Sequence, residues 1–174
     1  MAAINIVAIL GFVITLLCCN PISSLIREKG KEENSQDKSY LVLLWIIFGA
    51  AFVARIIAAA VYKGNDTDMN CFLIWSQNVF DEGISKFYLS DSFHDYPPGY
   101  MYILYVVGAI RALFSWTWDS KASIVLTKLP AIIADMFTAY LIFKIASKRL
   151  KKSGAAFLSA VYLFCPMVIL DSAV

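Results

Sequence analysis

The residues of this sequence that could carry out chemistry are concentrated in one polar stretch of the 174-residue chain, residues 63–97. Within it, Asp68 follows Asn65-Asp66-Thr67 and stands directly before a segment with an amphipathic pattern. Its carboxylate could act as a general base that takes a proton from an attacking hydroxyl group. An aspartate at a helix start also caps the helix, which stabilises it by about 1 kcal/mol. The sequence leaves both roles open for Asp68.

An amphipathic helix is predicted directly after Asp68, from Met69 to Glu82, and Gly83 is expected to end it. Ile74 is the one apolar residue on its polar side. Such a helix would lie along the membrane surface with its aromatic side among the lipid headgroups, and would hold Asp68 at the boundary between water and lipid. The residues that share its apolar arc are Met69, Phe72, Leu73, Trp75, Val79 and Phe80.

A second cluster of polar and aromatic residues, HDYPP at 94–98, leads into the next apolar run. The two prolines fix an extended entry, and a proline in the first turn of a helix costs no hydrogen bond. Tyr96, Tyr100 and Tyr102 could simply anchor this segment at the membrane interface. The chain's single histidine, His94, could instead act as a base or a ligand.

The composition indicates a membrane protein, because 60% of the residues are hydrophobic and 16% are charged. A soluble domain has about 45–50% apolar and about 25% charged residues. The apolar runs are long and unbroken, as in spanning helices, and unlike the short alternating strands of membrane barrels. We therefore predict an all-α, polytopic membrane protein with about five apolar helices and one interfacial helix. The apolar runs are 2–19, 40–62, 98–116, 122–143 and 154–174.

The chain is predicted to consist of an N-terminal helix with a charged loop, residues 1–39, and a transmembrane domain, residues 40–174, with its outer loop at 63–97. The run 2–19 lacks a preceding basic region and a small-residue cleavage site, so a spanning helix is favoured over a cleaved signal peptide. The net charge of +2 does not suggest nucleic-acid binding. The four cysteines show no CxxC or ligand spacing, which predicts neither a metal site nor a structural disulfide.

The distribution of basic residues gives conflicting predictions of sidedness. Four basic residues place the loop 23–39 in the cytoplasm, so the loop 63–97, with two basic and six acidic residues, lies outside. Two further crossings would place the loop 144–152, with five basic residues, outside as well, against the positive-inside rule. Either the run 98–116 does not fully cross, or the run 122–143 is broken at Pro130, or these cations serve a purpose outside.

The charged residues that interrupt the apolar runs include Arg55, Lys128 and Asp135. A charge at the centre of a bilayer costs about 2.5–3.5 kcal/mol on insertion scales, so such side chains usually face a partner or a cavity. Lys128 and Asp135 lie about 10 Å apart along a helix axis, which is too far for direct pairing. Lys128 could extend its ammonium group to the interface or hold a lipid-linked phosphate. For Arg55 and Asp135, a structural pairing between helices is favoured.

Taken in order, the motifs of residues 66–100 resemble the first outer loop of the GT-C membrane glycosyltransferases, in particular the bacterial relatives of the dolichyl-phosphate-mannose-dependent mannosyltransferases. The motifs are DTDMN at 66–70, Trp75, Phe87-Tyr88 and DYPPGY at 95–100. The resemblance extends over residues 40–174. It includes KLPA at 128–131 with Ala134-Asp135, similar to the helix that follows in the family, and Pro166 with DSAV at 171–174, similar to the stretch before its next outer-loop motif.

This resemblance implies an inverting transfer of a sugar from a polyprenyl-phosphate-linked donor to a hydroxyl group of a glycan, lipid or protein acceptor. The reaction would take place at the extracytoplasmic face of the cell membrane, or in the ER membrane of a eukaryote. By motif position, Asp68 is the expected general base, although Asp66 departs from the family pattern and leaves a two-aspartate arrangement open. No cofactor is implied, and the metal requirement stays open. The residues expected to bind substrate are Asp66, Asp95, Tyr96, Lys128 and Arg55.

Members of this family run to several hundred residues with many more helices, so the chain is expected to be the N-terminal part of such an enzyme. Two other functions remain open. A polytopic transporter or lipid carrier would use Arg55, Lys128 and Asp135 along a pathway and would not need Asp68. A non-catalytic membrane scaffold would need these residues only for stability.

Overall fold

A computed structural model describes residues 39–89, 93 and 95–173 of the chain. Within these residues, 81% are helical and no strand is present, which confirms the predicted all-α class. The predicted helix 2–19, the charged loop 23–38 and His94 lie outside the described residues. The chain divides into two compact units, which we treat separately. Unit 1 contains the described residues 39–58 together with Ala131–Ala173, and unit 2 contains Ala59–Pro130.

Two helices are long and apolar enough to cross a membrane, α1 (Ser39–Val61) and α5 (Lys121–Ala146). They confirm the helices predicted over 40–62 and 122–143. Pro130 lies inside α5, so the predicted alternative of a break at this residue is wrong. A proline removes one backbone hydrogen bond, and the bonds of the other residues keep the helix continuous through it.

The last apolar run forms two helices, α6 (Lys152–Leu163) and α7 (Pro166–Ala173), which are bent by 56° at the break between them. The predicted single run 154–174 is interrupted because Pro166 begins a new helix, a position that suits its fixed φ and its missing N–H group. Counted as one broken span, this pair raises the candidate membrane spans among the described residues from two to three. The predicted number of about five apolar helices is therefore not confirmed, and the run 2–19, which is one of the five, lies outside the described residues.

Unit 1 is held together by small side chains that let its helices approach closely. Ala51, Ala139, Ala160 and Leu163 are fully buried, and Phe164 packs with them at 8% exposure. The hydroxyl group of Ser159 donates a hydrogen bond of 2.9 Å to the carbonyl oxygen of Ala139. Small residues and serine hydroxyls of this kind are the usual contacts between helices in a membrane, where apolar burial gives little driving force.

A buried polar cluster joins three helices of unit 1. Arg55 is fully buried, and its Nε and Nη2 atoms lie 3.5 Å from Asp135 Oδ2. The Tyr162 hydroxyl group donates a hydrogen bond of 3.0 Å to the other carboxylate oxygen of Asp135. The predicted structural pairing of Arg55 with Asp135 is therefore confirmed, and Tyr162 completes it.

Unit 2 is built around the packing of α2 (Asp66–Glu82) against α4 (Pro98–Leu113), with the short helix α3 (Ile84–Phe87) between them in sequence. Gly83 ends α2 as predicted, with a φ of 86° that L side chains rarely adopt. Gly108 on α4 lies so close to α2 that a Cβ atom added there would overlap the backbone oxygen of Ser76. The core between these helices contains Trp75, Val79, Phe87, Met101 and Leu104.

The apolar face of α2 is buried against protein, with Met69, Leu73, Trp75 and Val79 all buried. The prediction that this face lies among lipid headgroups is therefore wrong. Its periodicity correctly indicated a buried face, but the burial comes from α4, which packs on the same side. Ile74, the predicted exception, is 47% exposed.

Candidate functional site

The start of α2 is fixed by Asn65 and not by Asp68. The side chain of Asn65 accepts a hydrogen bond of 3.0 Å from the backbone N–H of Thr67 and takes the N-cap position. The predicted alternative of Asp68 as the helix cap is therefore wrong. Asp68 lies within the first turn, where a negative charge is favourable beside the free N–H groups of the helix end.

Asp66 and Asp68 lie in the same helical turn but have different surroundings. Asp66 is largely exposed and forms an ion pair with Lys63, with 3.1 Å between Oδ1 and Nζ. The Asp68 side chain is also exposed, yet it lines a cleft. Among the described residues, no hydrogen bond or ion pair engages the Asp68 carboxylate. Its oxygens are therefore available to a bound molecule.

The cleft lies entirely within unit 2 and has a volume of about 210 Å³. One wall comes from successive turns of α2, and the other comes from the chain just before α4. Binding sites for drug-sized molecules measure about 300–1,000 Å³, so this cleft suits a smaller group, about the size of one ring. Its lining residues are Asp68, Cys71, Phe72 and Trp75 on α2, with Phe93, Asp95 and Tyr96 opposite.

The two walls of the cleft are joined through Trp75. Its indole N–H donates a hydrogen bond of 3.1 Å to the carbonyl oxygen of Phe93, and the indole is 5% exposed. Its ring centroid lies 5.8 Å from that of Tyr96. Because buried indole groups need a hydrogen-bond acceptor, the position of Phe93 follows from the burial of Trp75.

Tyr96 is held from three directions. Its ring packs edge-to-face on Phe72, with 5.1 Å between centroids, and lies 5.3 Å from the ring of Tyr100. Its carbonyl oxygen accepts a hydrogen bond of 2.8 Å from the hydroxyl group of Tyr88. Burial, with a smaller effect of Tyr96, raises the pKa of Tyr100, so its phenol stays protonated at neutral pH. The aromatic wall is therefore a packed cluster around Tyr96.

This arrangement combines two exposed carboxylates with aromatic surfaces. Asp68 and Asp95 can accept hydrogen bonds from hydroxyl groups, or a proton from one of them. Phe72 and Tyr96, which pack on the buried ring of Trp75, offer apolar ring surfaces of the kind against which the C–H faces of a small ring can pack. The chemistry favours a compact, polyhydroxylated ligand. No group of three or more potential metal ligands occurs among the described residues.

Of the other predicted substrate-binding residues, Lys128 belongs to unit 2 and Arg55 to unit 1. The Lys128 Nζ donates a hydrogen bond of 2.6 Å to the carbonyl oxygen of Tyr62, directly after the last residue of α1. A carbonyl at the end of a helix lacks a backbone partner, and an ammonium group is a favourable one. Arg55 is paired with Asp135, as described above. The structure thus brings Asp68, Asp95 and Tyr96 together at the cleft, while Asp66, Lys128 and Arg55 have protein partners.

Sequence reasoning missed Arg111, which is 2% exposed and holds α4 on α2. Its Nη1 atom donates to the Leu73 carbonyl oxygen at 3.1 Å and to the Ser76 hydroxyl group at 2.6 Å. Its Nη2 atom donates to Gln77 Oε1 at 3.3 Å. Leu73, Ser76 and Gln77 follow the cleft residue Phe72 on α2, so Arg111 fixes the helix that carries the cleft. A lone arginine in the last turn of an apolar run was the available signal.

Comparison of the chain with protein-family models, with curated proteins and with solved structures gives no match.

Proposed function

We propose that the chain is part of a membrane glycosyltransferase of the GT-C type. In this proposal it transfers a sugar from a polyprenyl-phosphate-linked donor to a hydroxyl group of a glycan, lipid or protein acceptor. The reaction takes place at the extracytoplasmic face of the cell membrane, or in the ER membrane of a eukaryote. The observation that supports it best is the cleft, in which the unengaged carboxylate of Asp68 adjoins Asp95 and an aromatic wall.

Asp68 acts as the general base. Its carboxylate accepts the proton of the acceptor hydroxyl group while the hydroxyl oxygen forms a bond to the anomeric carbon of the donor. The bond between that carbon and the phosphate oxygen breaks, and its electron pair leaves with the polyprenyl phosphate. Attack opposite the leaving phosphate inverts the anomeric configuration. Phe72 and Tyr96 orient a sugar ring beside Asp68, the buried Trp75 supports their rings, and Asp95 accepts hydrogen bonds from the hydroxyl groups of the sugar.

The leaving phosphate requires a positive group nearby, since charge develops on it in the transition state. Lys128 remains the predicted cation. The Lys128 ammonium group donates a hydrogen bond to the Tyr62 carbonyl oxygen at the end of α1. A phosphate oxygen would bind to Lys128 either beside this carbonyl oxygen or in its place. Asp66 is proposed to contribute to the charge of the helix start and not to the chemical step.

The test compares Asp68→Asn with Asp66→Asn in the full-length protein, assayed in membranes. The measured quantity is the rate of transfer of radiolabelled hexose from polyprenyl-phosphate mannose and polyprenyl-phosphate glucose, tested separately. We expect Asp68→Asn to slow transfer by about 10²–10⁴-fold, the usual contribution of a general base. Asp66→Asn removes the same charge from the same turn, loses only an exposed ion pair, and should stay near the wild-type rate.

Both variants must be present in the membrane in wild-type amounts. Wild-type transfer by Asp68→Asn would remove the catalytic role from this residue. Equal losses in both variants would assign the effect to the charge of the helix start, and would also contradict the proposal.

The alternative function, a transporter or lipid carrier, would use Arg55, Lys128 and Asp135 along a pathway. The contacts of these three residues do not favour it. Arg55 forms an ion pair with Asp135, Tyr162 donates a hydrogen bond to the same carboxylate, and Lys128 bonds to a helix end. All three charges thus have partners within the protein, as expected of structural groups in a membrane.

A further inference from the structure

The helix α4 has two different faces. One face packs on α2 through Met101, Leu104, Gly108 and Arg111, all of which are buried. The opposite face carries no charge and is exposed except at Ala109 and Ile110, which are partly buried. Its exposed residues include Tyr102 (65%), Ile103 (40%), Tyr105 (41%), Val106 (54%) and Leu113 (77%).

The partner helix α2 shows the reverse distribution. Its exposed residues include four acidic side chains, two at each end of the helix, with Ile74 exposed between them, and its partly buried residues include several amides. Together, α2 and α4 therefore form a layer with one charged surface and one apolar surface. This polarity is typical of an element that lies at a boundary between water and lipid. The acidic residues are Asp66, Asp68, Asp81 and Glu82, and the amides are Asn70, Gln77 and Asn78.

The length of α4 also opposes a full crossing. Its 16 residues span about 24 Å at 1.5 Å per residue, whereas the hydrocarbon core of a bilayer is about 30 Å thick. Near its C-terminal end, Arg111 is buried and bonds to α2. Since α2 packs along α4 up to this point, moving α4 across the bilayer would carry the charged helix α2 into hydrocarbon, which is costly.

We propose that α4 lies in the outer interface of the bilayer, with its exposed apolar face in the lipid and α2 on the water side. The aromatic residues at its C-terminal end fit this position, because Trp and Tyr concentrate at membrane interfaces. Trp116 and Trp118, which follow α4, are 38% and 47% exposed. The partner of this surface is therefore the lipid bilayer itself.

This arrangement removes the conflict in the charge distribution. If α1 crosses outward, α4 stays at the outer interface and α5 crosses back, then the loop 144–152 with its five basic residues lies inside. It shares that side with the loop 23–39 and its four basic residues. Both loops then obey the positive-inside rule, which a crossing by α4 would violate.

The test maps sidedness with single cysteines introduced at three exposed positions that carry no charge, so that the charges under study are kept. The background is the full-length protein with Cys18, Cys19, Cys71 and Cys165 replaced by alanine. A membrane-impermeant maleimide is applied to intact cells and again after detergent treatment. The three variants are Ser85→Cys before α4, Thr117→Cys after it, and Ser153→Cys after the loop 144–152.

We expect Ser85→Cys and Thr117→Cys to be labelled in intact cells, and Ser153→Cys only after detergent. Labelling of Thr117→Cys on the side opposite to Ser85→Cys would show that α4 crosses and would overturn the inference. Labelling of Ser153→Cys in intact cells would overturn it as well. A cysteine that stays unreactive in detergent is replaced by one at an uncharged position nearby, Leu89→Cys, Ser115→Cys or Ser147→Cys.

Discussion

At the scale of single residues, the identity of the residue that caps α2 decides whether the Asp68 carboxylate is available for chemistry. If Asp68 were the cap, its oxygens would be engaged by backbone N–H groups. Asparagine and aspartate both cap helices well, so the sequence alone could not choose between Asn65 and Asp68. The structure assigns the cap to Asn65, and Asp68 then lies three residues further on, where it lines the cleft. Arg111 could not be placed from sequence for a related reason, since its acceptors are on another helix.

Asn65 can be tested through its cap. Asn65→Ala removes the acceptor for the Thr67 amide and should destabilise the first turn of α2 by about 1 kcal/mol, whereas Asn65→Asp keeps a capping oxygen. Hydrogen exchange of the amides of Thr67 and Met69, which bond to Asn65, is followed by mass spectrometry and is expected to be about fivefold faster in Asn65→Ala, as this free energy requires. Asn65→Asp should exchange at the wild-type rate. Equal exchange in all three proteins would show that another group caps α2.

At the scale of elements, the crossing of α2 and α4 builds the cleft. The helical wheel identified the buried face of α2, because apolar residues at helical spacing indicate that a face is covered. It could not show what covers that face, and the covering element is α4, not lipid. The close approach at Gly108 belongs to the same tertiary contact and left no signal in the local sequence. The break between α6 and α7 did have a signal in the sequence, Pro166, although the residues around it are apolar without interruption.

Two glycines of α4 make a matched test of this crossing. Gly108→Ala places a methyl group against the Ser76 backbone, and should lower the free energy of unfolding by about 1–3 kcal/mol because the helices must separate. Gly99→Ala meets open space in the same helix, and should leave stability unchanged or raise it by up to about 1 kcal/mol. Denaturant unfolding in detergent micelles measures both. Equal stability of the two variants would contradict a tight crossing at Gly108.

At the scale of the whole molecule, composition predicted a membrane protein, because 60% hydrophobic residues exceed what a soluble core uses, and the long unbroken apolar runs predicted the all-α class. The number of crossings could not be obtained in the same way. The run 98–116 resembles a span in composition, but α4 has only 16 residues and carries the polar helix α2 on one side. Which apolar runs cross depends on their neighbours, and hydropathy averaged along the chain does not contain that information.

The proposed function requires that the cleft beside Asp68 takes the sugar of a lipid-linked donor. Cys71 lines this cleft and is partly buried, so it can report occupancy in a full-length variant with Cys18, Cys19 and Cys165 replaced by alanine. The measurement is the rate of Cys71 alkylation by a small maleimide, with polyprenyl-phosphate hexose or with polyprenyl phosphate alone. We expect the sugar-bearing donor to slow alkylation several-fold and the sugar-free lipid to leave it unchanged. An alkylation rate that is the same with both lipids, at donor concentrations that saturate transfer, would contradict the claim.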